Sequence, residues 1–265
     1  MKHRIFIFLV AISFAGTCFA QRPRTNVTGD YLLKTAWGGS SPFDALAPGG
    51  SALGCDADAF AQVLYFHRLA PHGQVAYKCK NGAAISEDFS RYKPEWERFA
   101  LTKNSTDARA IQETSRFMYY VAVVVRKDFG TDQYVDYPED AHKKAVESHF
   151  DCTLTSYANE VTSNLEAALR GGADMYELVK AEIDAGRPAG FYYTYGKADG
   201  HAVVLDGYTV QGGKTYFHVN FGWLGSSDGW YSLAEDLPKS TKKIMVITIV
   251  PDTAKEQIET ERKKS

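Results

Sequence analysis

The 265-residue sequence has almost no excess charge, few cysteines, and no long hydrophobic run after its first segment. A formal net charge of -2 gives no electrostatic reason to expect nucleic acid or an anionic membrane as a partner. No stretch beyond the first segment is long and charge-free enough to cross a bilayer, so we expect no membrane span. A hydrophobic fraction of 45% supplies a sizeable core. These features predict a globular protein.

The first twenty residues have the pattern of an export signal. Lys2 and Arg4 precede an apolar run at residues 5–16, and Ala20 ends a short stretch that a signal peptidase can cleave. The run is too short to span a bilayer comfortably. We therefore expect a signal peptide over residues 1–20, cleavage near Ala20 and a secreted or periplasmic protein.

The remaining chain has the length of one ordinary domain. Residues 21–30 are polar and are expected to form a flexible lead-in, residues 31–252 form the domain, and residues 253–265 form a polar tail. The Gly, Ser and Pro content of residues 31–54 predicts an irregular surface segment. Such segments often carry functional sites.

Hydrophobic periodicity changes along the chain from a helical to an extended pattern. Helices are predicted over residues 55–68, 107–127, 139–148 and 175–185, and strands over residues 191–195, 202–208, 215–221 and 243–250. The turn Gln211-Gly212-Gly213 predicts that the middle two strands form a hairpin. Helices followed by strands indicate an α+β fold with an antiparallel sheet.

Three cysteines remain after the expected cleavage, Cys55, Cys79 and Cys152. An odd number means that at least one thiol is not part of an intrachain disulfide. For Cys79 and Cys152, a disulfide and a buried thiol both remain open. Cys55 differs because it follows Gly54 at a predicted helix start, where free N–H groups favour a thiolate and can bind an oxyanion. A purely structural cysteine is the alternative for this position.

His201 is the best candidate for a base that accepts the thiol proton. It follows Gly200 at the start of an apolar strand, although a histidine there can also be an ordinary polar residue. Asn220 could fix the imidazole tautomer, and the indole of Trp223 could shield that bond from water. A turn asparagine and a core tryptophan are the alternatives for these two residues.

These segments resemble the streptopain family of bacterial cysteine peptidases. The matching motifs are LLKTAWG at 32–38, PFD at 42–44, GCDADAFAQ at 54–62, YFH at 65–67, GHAVVLDGY at 200–208, FHVNFGW at 217–223 and SDGW at 227–230. The resemblance implies a papain-like fold, in which a helical part bearing the nucleophile packs on an antiparallel β-sheet part bearing the histidine. It also implies hydrolysis of peptide bonds by a thiolate–imidazolium mechanism, polypeptide substrates and no metal or other cofactor. In that mechanism the Cys55 backbone amide contributes to the oxyanion hole.

Two residues depart from the pattern of this family. Gly39 stands where the family has the glutamine that donates the second oxyanion hydrogen bond. The absence of this donor lowers turnover by about a hundred- to a thousand-fold unless Ser40, Ser41 or Gln62 replaces it. Asp56 places a carboxylate beside the nucleophile and disfavours its thiolate.

The family's long propeptide has no counterpart in residues 21–30, so a separate inhibitor or propeptide-like protein is a candidate partner. The alternative function is a catalytically impaired member that binds polypeptides. A transferase that passes the acyl group to an amine or thiol is a third possibility, which no residue specifically favours.

Overall fold

The structure is a computed structural model that describes residues 22–135, 141–196 and 199–254. The predicted signal peptide lies outside the described residues, as does most of the predicted polar tail. Within these three ranges, every helix is too short or too polar to cross a membrane.

The described residues form six α-helices. They are α1 (Cys55–Phe66), α2 (Ala108–Val124), α3 (Ala141–His149), α4 (Leu165–Arg170), α5 (Met175–Asp184) and α6 (Leu233–Asp236). Asp107 and Asp174 are the N-cap residues of α2 and α5, and their side chains accept hydrogen bonds from N–H groups of the first turn. Helix α1 is buried almost all round, because its side chains from Asp56 to Leu64 are covered. The four predicted helices are α1, α2, α3 and α5, whose ends differ from the prediction by a few residues.

In the part of the chain that the structure describes, eight strands form a two-stranded hairpin and a six-stranded sheet, and all their pairings are antiparallel. The hairpin consists of β1 (Gln74–Lys78) and β2 (Ala84–Asp88). The large sheet has the order β3-β8-β4-β5-β6-β7 and consists of β3 (Cys152–Glu160), β4 (Ala189–Tyr195), β5 (Asp199–Gln211), β6 (Lys214–Asn220), β7 (Gly229–Tyr231) and β8 (Thr241–Pro251). The predicted α+β class and the β5–β6 hairpin are confirmed.

The sheet separates two hydrophobic cores. Along β5, Ala202 and Val204 face the larger core with α1 and α2, whereas Val203 and Leu205 face the smaller core with α4 and α5. Successive strand residues point to opposite faces, so one apolar run serves both cores. This arrangement holds the start of α1 against the start of β5.

Two parts of the chain are packed more tightly than their composition predicts. In the irregular segment 31–54, Trp37 and Phe43 are fully buried, and the Trp37 indole donates to Ala100 O at 2.6 Å. In the lead-in, Arg24 donates to Asp236 Oδ1 at 2.9 Å, and Val27 is buried, so this segment contacts the domain. The partner of Arg24 is 212 positions away and that of Trp37 is 63 positions away, which a local pattern does not reveal.

Cys79 and Cys152 are both buried among the apolar side chains of the larger core. This position agrees with the buried-thiol alternative for each residue.

Candidate active site

Cys55 is the first residue of α1 and remains partly exposed. Gly54 before it has φ 92°, a left-handed conformation that favours glycine and lets the chain turn sharply into the helix. The main-chain N–H of Ala202 interacts with the Cys55 sulfur. Because Ala202 directly follows His201, the fold brings the two predicted catalytic positions to the same place.

The imidazole of His201 is held by a main-chain carbonyl. Its Nε2 lies 3.1 Å from Phe221 O, and because a carbonyl only accepts, Nε2 carries the proton. Nδ1 is then the ring nitrogen that can accept a proton. Burial lowers the pKa of His201 to about 4, and the hydrogen bond to Phe221 opposes this shift. The resting imidazole is therefore neutral near pH 7.

Aromatic rings cover the histidine. The Trp223 ring lies 4.9 Å from the imidazole between centroids, and Trp223 is 40% exposed. The Phe221 ring is nearly parallel to the imidazole at 6.2 Å. Leu224 N donates to Trp37 O at 3.1 Å, which fixes the loop that carries Trp223. The indole thus stands between His201 and solvent.

Asn220 does not make the hydrogen bond to the imidazole that the sequence suggested. Its Nδ2 donates to Thr35 O at 2.8 Å and to Gln62 Oε1 at 3.0 Å, and its Oδ1 accepts from Gln62 Nε2 at 2.9 Å. The carbonyl oxygen of Phe221 occupies the position beside His201 that was predicted for Asn220. The reason is that the buried side-chain amides of Asn220 and Gln62 form hydrogen bonds with each other. Gln62 is fully buried in this pair, so it is not available as an oxyanion donor.

Gly39 lies next to a buried carboxylate. The Gly39 N–H donates to Asp58, and Gly39 O accepts from Leu53 N at 2.9 Å. A Cβ at Gly39 would sit 2.7 Å from Asp58 Oδ1. Asp58 therefore occupies the space through which a side chain at position 39 would leave the main chain.

Several charged groups surround the thiol. Burial raises the pKa of Cys55, and the negative charges of Asp56 and then Asp58 raise it further, whereas Lys127 lowers it. Burial also raises the pKa of Asp56 to about 6 and that of Asp58 to about 8. The lowered thiol pKa predicted from the helix start is wrong for this resting state, because desolvation and two acidic neighbours outweigh the dipole.

A cavity of about 210 Å³ lies between α1, α3 and the sheet, and its wall does not include Cys55 or His201 themselves. Asp56 and Ala202, which directly follow the two predicted catalytic residues, belong to its wall. Most of the remaining wall is apolar and includes Phe60, Tyr192 and Met245. Such a cavity suits an apolar side chain of a bound polypeptide.

Sequence reasoning missed three parts of this site. The Phe221 carbonyl is a main-chain group, which no residue pattern reveals. Lys127 lies on a distant loop and meets α1 only in the tertiary structure. The position of Asp58 was predictable from the sequence. Residues three apart on a helix share a face, so Asp58 lies on the same face of α1 as Cys55.

Comparison with known proteins places these features in context. The model of the peptidase C10 family matches residues 37–231. Streptopain of Streptococcus pyogenes is 26% identical over 196 residues, which cover 69% of this chain and 46% of streptopain. The chain thus spans just under half the length of this curated relative.

Two solved structures share the fold. The active wild-type interpain A cysteine protease of Prevotella intermedia superposes with a TM-score of 0.65 and 21% identity, over 82% of this chain and 93% of that chain. A prointerpain A fragment from the same organism gives a TM-score of 0.63 and 22% identity, over 82% of this chain and 70% of that chain. These matches confirm the papain-like α+β fold.

Proposed function

The chain belongs to the peptidase C10 family of cysteine peptidases, and from this premise we propose that it is an exported enzyme that hydrolyses peptide bonds in polypeptides. Cys55 is the proposed nucleophile and His201 the proposed base. The observation that carries the proposal is the contact between the Cys55 sulfur and the Ala202 N–H, next to an imidazole whose Nε2 is held by Phe221 O. Export rests on the N-terminal sequence pattern.

The chemistry begins with a neutral thiol and a neutral imidazole. His201 Nδ1 takes the thiol proton as the Cys55 sulfur attacks the carbonyl carbon of the substrate, and the Cys55 N–H donates to the oxygen that becomes negative. The C–N bond then breaks, and the imidazolium gives its proton to the leaving amine. Water attacks the resulting thioester, with His201 again as the base, and releases the acid. Trp223 shields the imidazole throughout.

The rate of this enzyme is expected to be modest. Gly39 has no side chain to donate a second hydrogen bond to the oxyanion, and one missing donor costs about a hundred- to a thousand-fold in turnover. Ser40 and Ser41 are exposed beside Gly39 and are the remaining candidates for that donor.

The test is cleavage of fluorescently labelled casein by the purified protein under reducing conditions. We expect slow turnover that is lost in Cys55→Ser and in His201→Gln. Cys152→Ala is the matched control, because Cys152 is a buried thiol of the same core that lies on β3. Retained turnover in Cys55→Ser would contradict the proposed nucleophile.

A second candidate function is polypeptide binding without efficient cleavage. It is favoured by Gly39 and by the acidic neighbours that raise the thiol pKa. In that case casein stays intact with the parent protein, while a peptide library still yields ligands that are lost when the cavity wall is filled by Ala59→Phe.

A separate inhibitor or propeptide-like partner would be recognised as a protein that blocks casein cleavage when added to the active enzyme.

A further inference from the structure

A lysine is buried beside the helix that carries the nucleophile. Lys127 is only 1% exposed and lies just after α2, in a turn where Arg126 has φ 57°. Its main chain is fixed on both sides, because Lys127 N donates to Ala122 O at 2.9 Å and Lys127 O accepts from the Tyr77 hydroxyl at 2.7 Å. The side chain therefore starts from a well-held position.

The ammonium of Lys127 lies against the residue before Cys55. A Cβ built on Gly54 would be 3.1 Å from Lys127 Nζ and 2.7 Å from the Tyr134 hydroxyl. The same ammonium lies 5.1 Å from the centre of the Tyr134 ring. Gly54 thus leaves the space through which the lysine reaches the start of α1.

An ammonium is expensive to bury unless negative charge lies nearby. Burial lowers the pKa of Lys127, and this shift is opposed by Asp132, by ionised Cys55, by Asp56 and by Asp58. Two of these four groups lie in the first turn of α1 together with the thiol itself. The lysine is therefore held by the same charges that disfavour the thiolate.

Most other titratable groups around the thiol do not supply positive charge at neutral pH. They are His201 on β5, His142 on α3, Tyr192 on β4, and Asp132 and Tyr134 on the loop after α2. Burial lowers the pKa of both His201 and His142 to about 4, so both imidazoles are neutral near pH 7. Lys143 and Lys243 line the cavity that Asp56 also lines, but each lies beside a glutamate, Glu147 and Glu160 respectively. Lys127 is the cation whose charge lowers the pKa of Cys55.

We propose that Lys127 is an electrostatic positioning residue, whose ammonium offsets Asp56 and makes ionisation of the Cys55 thiol possible. The inference rests on the proposed function for its role in catalysis, but the ionisation itself can be measured without any substrate. An opposite charge within a few ångströms shifts a pKa by about one to three units. Removing Lys127 while keeping Asp56 leaves an uncompensated negative charge beside the sulfur.

The experiment measures the rate at which iodoacetamide alkylates Cys55 in the full chain from pH 5 to 10, with the modified residue identified by mass spectrometry. Lys127→Met keeps an unbranched side chain, one atom shorter, and removes its charge. We expect its alkylation at pH 7.5 to be about tenfold slower, because the cation that lowers the thiol pKa is gone. Lys127→Met combined with Asp56→Asn should recover most of the rate, because the charge is balanced again. Lys103→Met, on an exposed loop, is the matched control and should match the parent.

An unchanged profile in a folded Lys127→Met protein would overturn the proposal, as would a slower profile that Asp56→Asn does not restore. If Lys127→Met fails to fold, Lys127→Gln takes its place as an uncharged polar replacement: it must slow alkylation at pH 7.5, and an unchanged rate would refute the proposal. Failure of the proposed peptidase function is separate, since it would appear as absent casein cleavage with the alkylation profiles still as expected.

Discussion

Restoring the glutamine of the family at position 39 should fail as a single change and succeed as a double change. A Cβ at Gly39 would lie 2.7 Å from Asp58 Oδ1, 3.0 Å from Asp58 Oδ2 and 3.0 Å from Leu53 Cβ. The main chain at Gly39 is not left-handed, so the obstacle is space and not backbone strain. We predict that Gly39→Gln has no gain in turnover, whereas Gly39→Gln with Asp58→Ala gains about a hundred- to a thousand-fold.

The size of this gain follows from the role of the missing group. One oxyanion donor contributes about 2.7–4 kcal/mol to the transition state, which corresponds to that range of rates. Asp58→Ala also removes a carboxyl group near Cys55 that is ionised only towards pH 8 and above, and this effect must be separated from the gain of a donor. The Asp58→Ala single variant measures it alone.

The assay is kcat/KM for a fluorogenic peptide in the parent, the two single variants and the double variant, each across pH 5 to 9. We expect the gain in kcat/KM of the double variant to exceed the product of the two single-variant effects by at least tenfold. Such a coupling would show that the side chains at positions 39 and 58 compete for the same space. Circular dichroism melting checks that all four proteins are folded. A double variant no faster than Asp58→Ala, or a full gain in Gly39→Gln alone, would refute the steric argument.

Three further predictions concern the surroundings of the site. Trp223→Ala should raise the pKa of His201 from about 4 towards its ordinary value of 6.5, because the imidazole becomes hydrated; the ring-proton shifts in an NMR titration measure this, and an unmoved midpoint would count against shielding. Asp58 has a pKa raised from 3.8 to about 8, so its contribution to stability is present below about pH 4 and is lost as the pH rises to 8; Asp58→Asn should therefore raise Tm more at pH 9 than at pH 5, and parallel Tm curves would contradict this. Gln62→Leu should cost about 1–3 kcal/mol in urea unfolding, because the buried amide of Asn220 loses its partner, while the alkylation profile of the site thiol stays unchanged.

Much of the fold could be read from the order of its hydrophobic patterns. The apolar runs that fill the two cores were visible in the sequence. They belong to α1 and to strands β4, β5, β6 and β8, so the positions of these elements were predictable. Strand β3 was missed because its second half is polar and partly exposed, and it pairs with β8, some 90 positions later in the chain. The contact of the lead-in with the domain was missed for the same reason, since the partner of Arg24 is remote.

The sequence by itself determined which residues could carry the chemistry, because Cys55 and His201 stand at local features, a helix start and a strand start, that neighbouring residues define. Only the tertiary structure decided what surrounds them. It gave the imidazole a main-chain carbonyl in place of Asn220, filled the space beside Gly39 with Asp58 and brought Lys127 to the thiol. Charges and hydrogen bonds act through space over a few ångströms, and the chain order contains no such distances until it is folded.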